Sequence, residues 1–401
     1  VGSEMCIRDR YIYDTKEADS MILIQEGTVH DGHGNIAVMD IALQDGKILD
    51  VGKALSYQNA EIINADGCHV FPGFVSAISV WGIMGPGWTD DDKTEGSSPI
   101  TPQMDVTYAF DQDCMNFQKA YLYGVTTACV TPQPTNVLCG QAALYKTAGR
   151  TPHGMLVREK AAMVASVSDG VKKTFTKRGV APMTHMGIFS LLKEQLEKAR
   201  HYDPQKNGHD ESCEALLPVL SGKTPLLVNC CTKAEAEAIL ALLSSYKEIR
   251  VVLSGAYGIT DATPGVNEGR VSVLMGDHTE SFLSHNAATQ FDAIIPMMEA
   301  GKPIAISCGG DDITSGRESL LWNALHWIRH GLSVERALSC ITSVPAEILG
   351  VSDRVGSIAP GMDADLSIWT ANPFVTYEAR VKHVFLSGND VYTKEVHPSC
   401  W

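Results

Sequence analysis

The sequence predicts an α/β fold, a (β/α)8 TIM barrel with a small β-sandwich domain built from both termini. Three observations predict it. Short apolar strands alternate with helical segments through the middle of the chain, and both flanks read as strands and turns. The 401 residues also suffice for one barrel and a small appended domain.

In the N-terminal flank, residues 21–70 read as short strands, and residues 41–49 alternate around Asp45-Gly46, a strong hairpin signal. The C-terminal flank returns to short strands and tight turns. Residues 364–369 alternate, and a Gly388-Asn389 turn separates two apolar runs within 384–392. Between the flanks, residues 124–130 form an apolar strand bounded by Gly and Pro. Residues 191–200 have helical spacing with a charged face, and 226–231 read as a buried strand followed by a helix over 233–245. Residues 250–254, 271–275 and 303–307 repeat the strand theme, which implies a parallel sheet closed into a barrel.

Composition narrows the function. Hydrophobic content of 44% and charged content of 20% are those of a globular protein. A formal net charge of -15 and no Lys/Arg-rich run argue against nucleic acid or a membrane surface as partner. No apolar run approaches the roughly 18 residues that span a bilayer, and no secretory apolar segment opens the chain, so a cytoplasmic location is expected. The eleven cysteines are odd in number and scattered, a pattern of thiols in a reducing compartment. Residues 1–12 are set aside, because Glu4-Met5-Cys6-Ile7-Arg8-Asp9-Arg10 looks like a translated adapter left by cloning or assembly.

The most informative segment is Pro72-Gly73-Phe74-Val75-Ser76-Ala77-Ile78-Ser79-Val80. It resembles the first barrel strand of the amidohydrolase superfamily, which runs Pro-Gly-Phe/Leu-Ile/Val-Asp-X-His-X-His and binds a catalytic divalent metal through its two histidines. Further resemblance lies in Gly27 to Gly32, Asp45 to Ile48, Pro345 to Gly350 and Gly356 to Leu366. Gly124-Val125-Thr126-Thr127 and the stretch 131–141 resemble the imidazolonepropionase-like branch, whose members hydrolyse cyclic amides and related C–N bonds. The resemblance implies a composite β domain from residues 13–70 and 351–401 around a barrel over 71–350.

It also implies a ligand set that this sequence lacks. Ile78 and Val80 occupy the two histidine positions of the first strand. Asn229 stands at the fifth-strand histidine, Gly255 at the sixth-strand histidine and Gly309 at the eighth-strand aspartate that serves as ligand and proton shuttle. Five metal-binding groups are therefore replaced at once. Val164 stands where related sequences often carry Lys.

Other residues offer only partial substitutes. Asp311 and Asp312 follow the eighth strand, but a lone carboxylate without histidines is a poor transition-metal site. Cys230, Cys231 and Cys308 could bring thiols to the mouth, although adjacent cysteines on a strand face opposite ways. Among the thirteen histidines, His326 and His330 share one helix face outside the barrel, while His278, His285 and His185 could line a pocket. Asp90, Asp91, Asp92 and Glu95 read as a solvated acidic loop, and Gly85-Pro86-Gly87 as a turn without a phosphate-binding context.

These residues point to a catalytically degenerate amidohydrolase relative that acts as a partner subunit or small-ligand binder. Its pocket would draw on Asn229, Cys231, Ser254, Cys308, Asp311 and His278. No metal or other cofactor is expected, although the relatives use zinc or another divalent ion. The partner would be a second copy or an active, histidine-complete relative. The alternative is an active hydrolase of non-peptide C–N bonds, cyclic amides in particular, with an atypical or metal-free site.

Overall fold

A computed structural model describes residues 21–84, 92–114, 117–276, 287–308 and 317–393. They build two eight-stranded sheets. The first five strands are β1 (Ile22–His30), β2 (Ile36–Gln44), β3 (Lys47–Gly52), β4 (Glu61–Asn64) and β5 (His69–Pro72). After the barrel strands described below, the last three are β14 (Leu366–Trp369), β15 (Val381–Leu386) and β16 (Asn389–Thr393). They share one sheet in the order β16-β15-β14-β5-β1-β2-β3, with β4 on β1.

The two chain ends are joined at β5, which runs parallel to β1 and antiparallel to β14. Asp45 and Gly46 turn β2 into β3 with φ of 50° and 75°, the doubly left-handed turn that matches strand twist. The second hairpin turns one residue earlier than expected: Ser387 and Gly388 take φ of 47° and 76°, and Asn389 already begins β16.

At Pro72 the chain leaves this sheet and enters the barrel. Gly73 makes the transfer possible, since a Cβ there would fall 1.9 Å from Thr126 Oγ1. The barrel sheet comprises β6 (Phe74–Ser79), β7 (Val125–Val130), β8 (Leu138–Lys146), β9 (Leu156–Ser166), β10 (Leu226–Cys230), β11 (Val251–Gly255), β12 (Val271–Met275) and β13 (Ile304–Ile306), side by side in chain order.

The expectation of a wholly parallel barrel fails at β8, which runs antiparallel to both β7 and β9. The connections, 131–137 and 147–155, are shorter than the dozen or so residues that a parallel crossover needs. Between the outer strands of this sheet, Ile306 N–H donates to Cys340 O at 2.9 Å and Val75 N–H to Ile341 O at 2.8 Å. Residues 340–341 thus link β13 to β6.

Strand pleat divides the buried side chains in two. Leu226, Val228, Val251, Leu253, Val271 and Val273 pack with Ile188, Leu192, Ala236, Ile239 and Leu243 of the surrounding helices. Their alternates, Leu227, Val252 and Leu274, with Val164 and Ala305, cluster instead with Val75, Ala77, Ile78 and Cys129 inside the barrel. The helix Ser343–Ile348 adds Val344, Ala346 and Ile348 to this inner cluster and plugs the N-terminal end. Arg158 and Arg250 hold its C-terminal carbonyls, donating to Leu349 O and Ile348 O at 2.8 Å each.

Sheet and barrel are tied by a buried charge cluster. Lys146, at the end of β8, pairs with Asp363 at 2.8 Å and with Asp365, and all three are buried. Lys47 and Arg354 reach Asp363 as well, at 2.6 and 3.0 Å. Burial would raise the Asp363 pKa, but these cations outweigh it and hold the carboxyl at about 2.

Candidate functional site

In barrels of this kind, chemistry sits at the C-terminal ends of the strands, where inward side chains reach the mouth. Ser166, Asn229 and Ser254 are register partners on β9, β10 and β11, so they lie on one level and face one way. They stand two residues beyond Val164, Leu227 and Val252, and therefore face the lumen above its apolar floor. Ser166 Oγ lies 3.5 Å from Asn229 Oδ1 and 3.0 Å from Ser168 Oγ. The mouth on this side is lined by two hydroxyls and one amide.

On β6 an irregularity between Ser76 and Ser79 sets three steps of that strand against two of β7. It turns both Ala77 and Ile78 into the inner cluster. Val80 follows the strand's last residue and belongs to the other cluster, with Trp81, Ile83 and Phe110. Ile78 and Val80 thus do not share one surface.

Gly255 pairs with Cys230, on the side away from the lumen, and takes φ of 90°. A Cβ there would fall 2.7 Å from Cys230 O, so no histidine fits. The inward position on β11 is Ser254, one residue earlier than the expected Gly255. The register shift has a simple cause: the glycine needed for the left-handed bend at the strand end is adjacent to the lumen-facing residue.

The thiols divide similarly. Cys230 faces the helices, and burial pushes its pKa far above the usual thiol range. Cys129 lies in the lumen with its pKa raised by burial to about 12. Cys231 is half-buried just beyond β10, and Cys308 Sγ lies 3.1 Å from Ser76 Oγ in the helix-facing cluster. Among the described residues no two cysteines are joined in a disulfide. Gly309, Asp311, Asp312, His278, His285, Asp90 and Asp91 lie outside the described residues, as do Gly85, Pro86 and Gly87.

Could these residues hold the superfamily's metal? A catalytic zinc takes imidazole nitrogens, carboxylate oxygens or thiolates. The described lumen offers Ile78, Ser166, Asn229 and Ser254, with Cys129 held as a thiol. That set does not fit a divalent metal.

A different group gathers on the rim. Ser168 caps the helix Asp169–Thr176, Thr184 caps His185–Arg200, and Thr232 caps Lys233–Leu243 in a reciprocal box with Glu235. The first and third helices follow β9 and β10 directly, so their N-termini stand at the mouth. His185 Nε2 lies 3.0 Å from Glu235 Oε1 and 3.4 Å from Asp169 Oδ1. Glu235 is buried and its second oxygen accepts from Cys231 N–H at 2.6 Å and Thr232 N–H at 3.2 Å. Lys172 bonds to Asp169 at 2.5 Å and, with His185, keeps that carboxyl below its ordinary range. Of these three residues only His185 stands out in the sequence. The Thr-X-X-Glu box at 232–235 was the available sign that Glu235 would be fixed at a helix start.

His326 and His330 pack against Phe291, with the His330 ring stacked at 3.8 Å, in keeping with a packing role outside the barrel. A cleft of about 580 Å³ lined by His33, Glu299, Glu335, Arg336 and Glu347 also includes Pro303, just before β13, so it opens at the opposite end.

Barrel, composite sheet and mouth define the class: a TIM-type barrel with a side domain from both chain ends. The amidohydrolase family profile matches residues 228–391. The amidohydrolase tasK of Hapsidospora irregularis is 24% identical over 398 residues, covering 87% of this chain. The chain spans only 39% of that protein's length. A D-hydantoinase of Geobacillus stearothermophilus is 45% identical over 51 residues, 13% of this chain and 11% of that one. The crystal structure of an amidohydrolase from Thermotoga maritima MSB8 superposes with a TM-score of 0.86 at 25% identity, covering 93% of this chain and all of that one. Over residues 228–391 the chain resembles the amidohydrolase family, and its fold is that of the Thermotoga maritima amidohydrolase. Among the described residues no helix is long and apolar enough to cross a membrane.

Proposed function

We propose that this chain is a catalytically degenerate amidohydrolase that binds a small polar ligand at the barrel mouth without hydrolysing it. The observation that carries this reading is the level Ser166–Asn229–Ser254, set above a lumen filled by Ile78, Leu227, Val252 and Leu274. Hydroxyls and an amide can exchange hydrogen bonds with a neutral ligand rich in carbonyl and N–H groups. They cannot lower the pKa of a water as a bound metal does. Ile78 in the lumen contributes about 1.5–3 kcal/mol of burial where a ligand histidine would carry polar atoms.

The ligand class we favour is a cyclic amide, in line with the branch that residues 124–127 and 131–141 resemble and with the 51-residue match to a D-hydantoinase. A role as partner to a second copy or to a histidine-complete relative belongs to the same proposal. So does a division into a barrel over 71–350 and a composite domain over 13–70 and 351–401. The second reading, an active C–N hydrolase with an atypical site, draws on the rim group of Asp169, His185 and Glu235.

The test pairs calorimetric binding of cyclic amides with turnover assays in the presence of Zn²⁺ or Mn²⁺. We expect saturable binding without product, weakened at least tenfold by Asn229→Ala. Metal-dependent turnover would overturn the proposal.

A further inference from the structure

We infer that Asp169, His185 and Glu235 form a binding site for a zinc-class divalent cation on the rim of the barrel, apart from the lumen. One ligand atom from each residue lies within 4.8 Å of the others. The two separations from His185 Nε2, 3.0 and 3.4 Å, suit a tetrahedral ion, for which bonds of about 2.1 Å place neighbouring ligands about 3.4 Å apart. One imidazole nitrogen and two carboxylate oxygens are donor types that zinc accepts, and three such ligands leave a fourth position for water.

The group is built from anchored parts. Glu235 is more than nine-tenths buried, and two backbone N–H groups fix one oxygen so that the other faces His185. His185 and Asp169 are each first residues of capped helices. Glu235 and Asp169 begin helices that leave adjacent strands, and His185 opens a third. A cation bound there would clasp three helix starts beside the mouth.

Electrostatics set the affinity. Two carboxylates face partial positive charge from three helix N-termini, and Lys172 already occupies Asp169 Oδ1. The ion must displace that ammonium or use the other oxygen, so micromolar rather than picomolar binding is expected. The competing account is that His185 hydrogen-bonds to the two carboxylates and nothing else binds.

The site differs from the lumen, which we propose has lost its metal ligands, and the experiment separates the two. Purified chain is titrated with Co²⁺, read by visible absorbance, and with Zn²⁺, read by calorimetry and thermal shift. One ion per chain is expected. His185→Gln and Asp169→Asn, both at partly exposed positions, should each weaken it at least tenfold, while Asn229→Ala leaves it unchanged. Glu235 is left intact because its loss would also break a helix cap. Absence of saturable binding would mean a hydrogen-bonded side-chain group only; it would overturn the rim site and leave the reading of the lumen standing. Binding that survives His185→Gln but falls with Asn229→Ala would place the ion in the lumen and overturn both.

Discussion

Asn229 and Ser254 are register partners on adjacent parallel strands, and their side chains enter the lumen at one level. Leu227 and Val252 lie beneath them in the same relation. The step from apolar floor to polar mouth therefore occurs between two successive inward residues of each strand.

Restoring histidines to β6 should not restore a metal centre. In Ile78→His/Val80→His only position 78 belongs to the inner cluster, and Asn229 and Ser254 still supply no imidazole. We expect no lumen metal by elemental analysis once the rim is blocked by His185→Gln. The Ile78→His substitution alone should cost about 1–3 kcal/mol in urea unfolding, because it buries an unpaired polar ring among aliphatic side chains.

Gly255 should be intolerant of any side chain. Its φ of 90° is strained for an L-residue, and an added Cβ meets Cys230 O at 2.7 Å. Gly361 has the same φ of 90° but open space around it. We expect Gly255→Ala to lose about 2–4 kcal/mol, and Gly361→Ala only about 1–2. Equal losses in thermal unfolding would show that the Cys230 carbonyl yields.

Much of this architecture was legible in the sequence because it follows from repeating patterns. The Asp45-Gly46 hairpin, the buried run from Leu226 to Cys230 and the Gly356 to Leu366 segment each carry local signals that the fold obeys. β8 was not legible as a strand of opposite sense: its nine residues are all buried, so no alternation marks it. The irregularity at Ala77 and Ile78 and the shift from Gly255 to Ser254 escaped for another reason. A change of one residue in strand register reverses which side chain faces the lumen, and no side-chain pattern fixes it when both faces are apolar. The rim group joins residues 169, 185 and 235 across three helix starts, a proximity only the closed barrel creates.

Lys146 should be the most costly single residue to remove from the sheet–barrel junction. Lys146→Met leaves Asp363 and Asp365 buried with less compensating charge, although Lys47 and Arg354 still reach Asp363. We expect a loss of about 3–5 kcal/mol in chemical denaturation. Lys47→Met, whose side chain is about half exposed, should cost under about 1 kcal/mol. A small effect at Lys146 would mean that the junction relaxes to admit water.

His30 should make stability fall with acid above the range where most carboxylates titrate. It is buried on β1, stacked at 4.2 Å on Phe71, with Nε2 3.0 Å from His69 Nδ1. Burial, then the neighbouring His69, lowers its pKa to about 4, against a smaller opposing effect from Asp31. Burial also lowers the pKa of His69. Between about pH 6.5 and 4 the unfolded chain therefore binds protons that the folded chain refuses, so stability is complete above that window and declines as pH falls through it. A shift of this size corresponds to roughly 3 kcal/mol. His30→Phe can keep the stack on Phe71 and removes the proton-binding group. Urea unfolding at pH 7, 5.5 and 4.5 should show the wild-type chain losing stability more steeply than His30→Phe, with the two curves converging in slope above pH 7. Parallel slopes across the whole window would show that His30 takes up its proton as readily folded as unfolded.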